Sequence, residues 1–204
     1  TAFYDLSVDG RTYHTLAVVS LTQGWNPVRD PPLTQGVMSE YVNFYAKGAW
    51  LDGAVFYNLT GNLQASKAFN LIGLAITFCV AYPAFSTRLN TAQAMLFALL
   101  VALNPVIVTQ LLSLYVDGQF VCLVSAAVSL LILIVCQPNR LLMFWLAATV
   151  LMTINAKLTG PLYILILGGG FLLWYALTHR PKRTELALWI AGGAFIGIFL
   201  VGYN

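Results

Sequence analysis

Asp117 and Lys157 stand at the borders of otherwise uncharged stretches, where an ionisable group is by default a functional candidate, and Asp9 stands ahead of a surface-helix pattern on the same side. Asp9 lies in Val8-Asp9-Gly10-Arg11-Thr12-Tyr13-His14, just ahead of a helical pattern. Oriented amides at a helix start can hold a carboxylate ionised and aimed. Such a group at the water-facing edge of a membrane cavity can take a proton from a hydroxyl or bind a metal ion, although a helix cap in solvent calls for the same residue. Asp117, in Tyr115-Val116-Asp117-Gly118-Gln119, falls at a tight turn between apolar runs, where simple hydration is the plain alternative. Lys157, in Asn155-Ala156-Lys157-Leu158-Thr159-Gly160-Pro161, is equally suited to pair with an interfacial phosphate and to snorkel to water as an anchor. His14 is a candidate proton carrier. The other histidine, His179, is remote, which argues against a His-based metal site. Arg11 and Arg29 can bind phosphate bidentately, with Asp5 and Asp30 as the competing partners.

The elements that must position these residues are helices in a bilayer. Of 204 residues, 59% are hydrophobic and 8% charged, against roughly 25% charged in a soluble globular domain, which excludes a soluble enzyme. Six uncharged runs follow one another: Ala68 to Thr87, Leu89 to Val116, Gly118 to Asn139, Leu141 to Ala156, Leu158 to His179 and Leu186 to Asn204. A spanning helix needs about 20 apolar residues, and a water-free core admits only structures that close their own hydrogen bonds. The expected fold is all-α, a polytopic bundle of about six spanning helices. Leu141 to Ala156 is short, and Pro105 predicts a kink in the second run. Gly168, Gly169 and Gly170 predict close helix approach.

Counting sides alternately puts Arg88, Arg140 and the cluster Arg180, Lys182 and Arg183 on one face. The positive-inside rule makes that face cytoplasmic, leaving Asp117, Lys157 and the N-terminal segment outside, on the periplasmic side of a bacterial inner membrane. The net charge of +3 is scattered apart from that cluster, which reads as a topology signal and not as nucleic-acid binding. Residues 1–67 form an extracytoplasmic loop with amphipathic juxtamembrane helices, and residues 68–204 the transmembrane bundle. Tyr13, Leu16, Ala17 and Leu21 recur at helical spacing until Gly24 and Pro27, predicting a helix along the membrane surface. The stretch from Glu40 to Thr60 is rich in aromatic rings suited to the headgroup layer. Cys79, Cys122 and Cys136 lie within apolar runs without ligand spacing and read as small packing residues. The chain opens on polar residues without an initiator Met or a cleavable signal peptide, which fits a piece of a longer protein with a first span ahead of Thr1.

The order of these features resembles the GT-C superfamily of polytopic glycosyltransferases, including lipid A aminoarabinose transferases and protein O-mannosyltransferases. The resemblance is carried by Asp9 with Arg11, Tyr13 and His14, by Gly24-Trp25-Asn26-Pro27, by Pro31-Pro32, by Asp117-Gly118 and by Lys157-Leu158-Thr159-Gly160. Each motif is short, and their order gives them weight. The resemblance implies transfer of a sugar from a polyprenyl-phosphate donor to an acceptor at the extracytoplasmic face. Asp9 would be the general base. Lys157, with Arg11 or Arg29, would stabilise the departing lipid phosphate, and Asp117, Tyr13 and His14 would contribute to substrate binding. Membrane lipids and further membrane subunits are the other implied partners, and a divalent metal ion is compatible with the family pattern. That pattern commonly has an Asp-Glu pair where this chain has Asp9-Gly10. This departure sustains an alternative, a non-catalytic membrane subunit of a larger complex that keeps the scaffold.

Overall fold

A computed structural model describes residues 4–36 and 38–179. Every regular element among them is helical. A π-helical turn, Gly10–His14, leads into α1 (Thr15–Thr22), and α2 (Ser39–Phe44) and α3 (Gly48–Thr60) follow. A 3-10 turn, Leu63–Lys67, then enters α4 (Ala68–Ser86). Beyond it come α5 (Thr91–Ala102), α6 (Pro105–Gln110), α7 (Val116–Cys136), α8 (Arg140–Ala156) and α9 (Gly160–His179). Among the described residues three helices, against the about six expected, are long and apolar enough to cross a bilayer: Leu63–Ser86, Val116–Cys136 and Gly160–Thr178. The short fourth run forms α8, with 17 residues. The sixth run and the cluster Arg180, Lys182 and Arg183 lie outside the described residues.

The second run is divided more deeply than a kink. Helix α5 stops at Ala102 and α6 restarts at Pro105, with the Asn104 side chain accepting from Val106 N at 2.9 Å. Proline has no amide hydrogen and disfavours helical backbone in the residue before it, while Asn supplies a new cap.

Helices α4 and α7 run in the same direction. Asn70 donates to Ser113 O at 3.0 Å, and Thr77 Oγ1 donates to Cys122 O at 3.3 Å. A Cβ on Gly73 would lie 3.1 Å from Cys122 Sγ, so this glycine permits the close approach. Helix α5 returns along α4, with the rings of Phe85 and Phe97 5.8 Å apart, and α8 returns along α7. The starts of α4 and α7 and the end of α8 therefore share one end of the bundle. Arg88 and Arg140 lie at the other, about 28 Å away for a 19-residue helix at 1.5 Å per residue.

The N-terminal segment packs onto the first of these ends as a small core of its own. Ala17 and Val18 of α1 are buried against α3, together with Val42, Ala49, Trp50 and Ala54. Helix α1 is thus covered by α3, where the sequence pattern predicted a helix resting on the bilayer surface. Trp50, expected among the headgroup-layer aromatics, is 2% exposed and belongs to this core, whereas Phe44 is 76% exposed. Among the described residues, Gly168, Gly169 and Gly170 meet no atom within 4 Å of a built Cβ, so the described helices make no close approach there. It occurs at Gly48, where a Cβ would lie 2.6 Å from Asn155 O, seating the start of α3 on the end of α8. Gly48→Ala is expected to destabilise the protein by about 1–3 kcal/mol, the usual cost of overpacking. Its thermal midpoint in detergent checks this.

Candidate functional site

Asp5 ties the N-terminal segment to the bundle. Its Oδ1 accepts from Ser7 N at 2.9 Å and from Ser7 Oγ at 2.7 Å, and its Oδ2 accepts from Leu114 N at 2.6 Å, just ahead of α7. Ser7 Oγ in turn accepts from Gly10 N at 3.1 Å. Asp5 and Ser7 therefore serve the helix start, the role that is the plain alternative for Asp9. Asp9 already has helical backbone (φ −66°, ψ −39°) and makes no cap bond. Its carboxylate is left for other partners, and Oδ2 accepts from the Tyr13 hydroxyl at 3.2 Å. Gly10 is required by packing, since a Cβ there would collide with Asp5 Oδ2.

Asp117 opens α7 at the same end, and its Oδ1 accepts from Lys157 Nζ, which follows α8 in extended backbone (φ −151°, ψ 148°). Gly118 lets this corner close: its amide donates to Gln110 Oε1 at 2.6 Å, and a Cβ would press on Gln110 and Asn70. The pair is part-open to solvent, at 29% exposure for Lys157 and 37% for Asp117.

His14, 1% exposed, joins the two halves. Its Nδ1 accepts from Trp50 Nε1 at 2.7 Å, which places the proton of the neutral ring on Nε2. The ring of Tyr115 meets it edge-on at 5.9 Å, and Tyr13 lies 4.3 Å away between centroids. Burial pushes His14 down to about 4, opposed by the carboxylates of Asp9, Asp5 and Asp117, all within electrostatic reach of this one imidazole. Burial and Asp9 together push the Tyr13 phenol up, so it remains a donor to Asp9.

The unfolded chain, with histidine near 6.5, binds the His14 proton more readily than the folded one. The stability from a neutral buried His14 is therefore complete above pH 6.5 and is lost as pH falls toward 4. The loss is on the order of 3 kcal/mol at the low end. Thermal melts of His14→Gln, whose amide oxygen can still accept from Trp50, are expected to lack this component of the acid dependence. Equal acid dependence in both proteins would contradict it.

Of the residues singled out in the sequence, Asp9, Tyr13, His14, Asp117 and Lys157 come together at one end of the bundle. Arg11 and Arg29 are exposed and make no ion pair among the described residues. Asp30 accepts instead from Asn26 N at 2.6 Å, within the proline-rich loop. Two contributors, Asp5 and Trp50, and one carboxylate outside the site, Asp52, have roles the sequence did not reveal. Asp5 and Trp50 gave no local signal beyond their type. Asp52 did, as a lone carboxylate in Ala49-Trp50-Leu51-Asp52-Gly53-Ala54, and it accepts from Gln119 Nε2 at 2.5 Å.

The donor chemistry does not make a ready metal site. Asp5 is taken up by amide and hydroxyl donors, Asp117 by Lys157 and His14 Nδ1 by Trp50. No group of three or more His, Cys, Asp or Glu side chains among the described residues is placed to hold a metal ion.

The described residues thus define a helical membrane protein with a carboxylate-rich site around a buried histidine. No protein-family model, curated protein or solved structure matches the chain.

Proposed function

We propose that this chain is a GT-C-like, multi-pass membrane glycosyltransferase, moving a sugar from a polyprenyl-phosphate donor to an acceptor at the extracytoplasmic face. The observation that carries the reading is the gathering of Asp9, Asp5 and Asp117 around His14, with Lys157 held on Asp117. Asp9 is the base. It takes the proton of the acceptor hydroxyl as that oxygen bonds to the anomeric carbon, while the bond from that carbon to the phosphate oxygen breaks. The electron pair leaves with the lipid phosphate. Lys157, partly open to solvent, exchanges Asp117 for the developing phosphate charge. Tyr13 holds one Asp9 oxygen by its hydroxyl and so orients the other. His14, kept neutral by burial and held at Nδ1 by Trp50, lies within electrostatic reach of the carboxylates without adding a charge among them.

The orientation in this reading rests on the positive-inside rule, by which Arg88 and Arg140 mark the cytoplasmic end. That puts the site on the periplasmic side of a bacterial inner membrane. The test is reconstitution in lipid nanodiscs with a panel of labelled polyprenyl-phosphate sugars. Label must pass to an acceptor with stoichiometric release of polyprenyl phosphate. A second reading, a non-catalytic subunit, is favoured by the neutralisation of Lys157 by Asp117. Stable copurification with a stoichiometric partner and no transfer by either the chain or the complex would support it.

A further inference from the structure

A groove of about 660 Å³ runs along α4, α7 and α8, and Asp52 and Gln119 stand at its polar end. Its walls are apolar, with Ile72 and Ile76 from α4, Leu123 and Leu130 from α7, and Trp145 and Met152 from α8. From Gln119 to Leu133 it follows α7 for about 21 Å at 1.5 Å per residue. Gln119 is two residues beyond Asp117, about 200° around the helix, so the groove is separate from the Asp9 and Asp117 site. Neither of those carboxylates lines it.

The polar end is short of donors. Gln119 is 5% exposed, and its Nε2 is committed to Asp52 Oδ2 at 2.5 Å. Its Oε1 is buried without a hydrogen-bond partner among the described residues. A buried acceptor left unpaired is unfavourable and calls for a donor. Asp52 beside it offers a second acceptor, and burial pushes its carboxyl up against the opposing bond from Gln119. Among the described residues no lysine or arginine lines the groove, so an anionic head would meet the Asp52 carboxylate with no cation from these helices to offset it.

We propose that this groove binds a membrane amphiphile with an apolar chain and a non-anionic, hydrogen-bond-donating head, a hydroxyl or an amine, seated on Asp52 and Gln119. The chain lies between α4, α7 and α8, and the head donates to Gln119 Oε1 and the Asp52 carboxylate. The chemistry differs from that of a phosphate-headed lipid. The site stands whether or not the chain transfers sugar.

The test uses the full chain in lipid nanodiscs with three photo-crosslinking alkyl probes that differ only in their head: hydroxyl, amine or phosphate. The hydroxyl or amine probe is expected to label Ile76, Leu123 and Met152 about fivefold more than the phosphate probe, the discrimination one net hydrogen bond gives. The stronger of the two identifies the natural head. Asp52→Asn lets the new amide donate to Gln119 Oε1, closing the pair on itself, and should bring labelling down to the level of the phosphate probe. Leu123→Trp fills the trough without touching the head pair and should abolish labelling by every probe, which keeps the test decisive if the Asp52 variant does not fold. Equal labelling by all three heads, or an Asp52→Asn protein labelled like the parent, would show bulk lipid without head recognition and overturn the proposal. Absence of label from the groove residues would overturn it equally, pointing to another protein segment as the cover.

Discussion

Asp9→Asn is expected to lower sugar transfer by about 10²–10⁴-fold, the range a positioned general base supplies, while the protein folds normally. The amide retains an oxygen that can accept from the Tyr13 hydroxyl, so the 3.2 Å contact and the ring stack behind it can persist. The helix start should be untouched as well, because Asp5 and Ser7 serve it and Asp9 makes no cap bond. What the substitution removes is the proton acceptor alone. Transfer rates in nanodiscs, measured beside thermal midpoints, separate the two roles. An Asp9→Asn protein with full activity would remove the base assignment. One that is both inactive and markedly less stable would make Asp9 a structural residue.

Lys157→Met is expected to reduce transfer by about 10²–10³-fold, the scale seen when one preorganised charge-stabilising donor is lost. Its effect on stability should be small. The Lys157 and Asp117 side chains are part-open to water, and exposed ion pairs contribute roughly 0–1 kcal/mol. Methionine keeps most of the apolar stem that packs beside the bundle end. The loss should fall on kcat, because the phosphate charge grows as the bond to the sugar breaks. Lys157→Arg preserves the charge but not the compact ammonium and should recover part of the rate. A variant with unchanged kcat and a large drop in thermal midpoint would instead make the pair an anchor holding the end of α8 on the start of α7.

Much of this architecture could be read in the sequence because the governing forces are local along the chain. Uncharged runs bounded by Arg88, Asp117, Arg140 and Lys157 specify apolar helices and the end at which each charge emerges. Pro105 after Asn104 marked the interruption, though not its depth, because a kink and a full break begin from the same missing amide. The aromatic stretch was misread at Trp50. An indole suits both a headgroup layer and a buried site with a partner for its N–H, and only the position of His14 decides between them. The glycine run from Gly168 to Gly170 permits a helix contact, but small residues do not say which helix makes it, and no described helix does.

By itself, then, the sequence determined the helical character, the approximate borders of the first, third, fourth and fifth apolar segments and the shared end of Asp117, Lys157 and the N-terminal segment. Each of these depends on hydrophobic length and on charges at run ends. Which carboxylate does what was decided only by the tertiary structure. Asp5 reaches Leu114 across 109 residues, Asp52 reaches Gln119 across 67, and Lys157 reaches Asp117 across 40. Hydrogen bonds over such separations depend on how close the helices pack, as at Gly48 against Asn155 and Gly73 against Cys122. No periodicity along the chain encodes that distance.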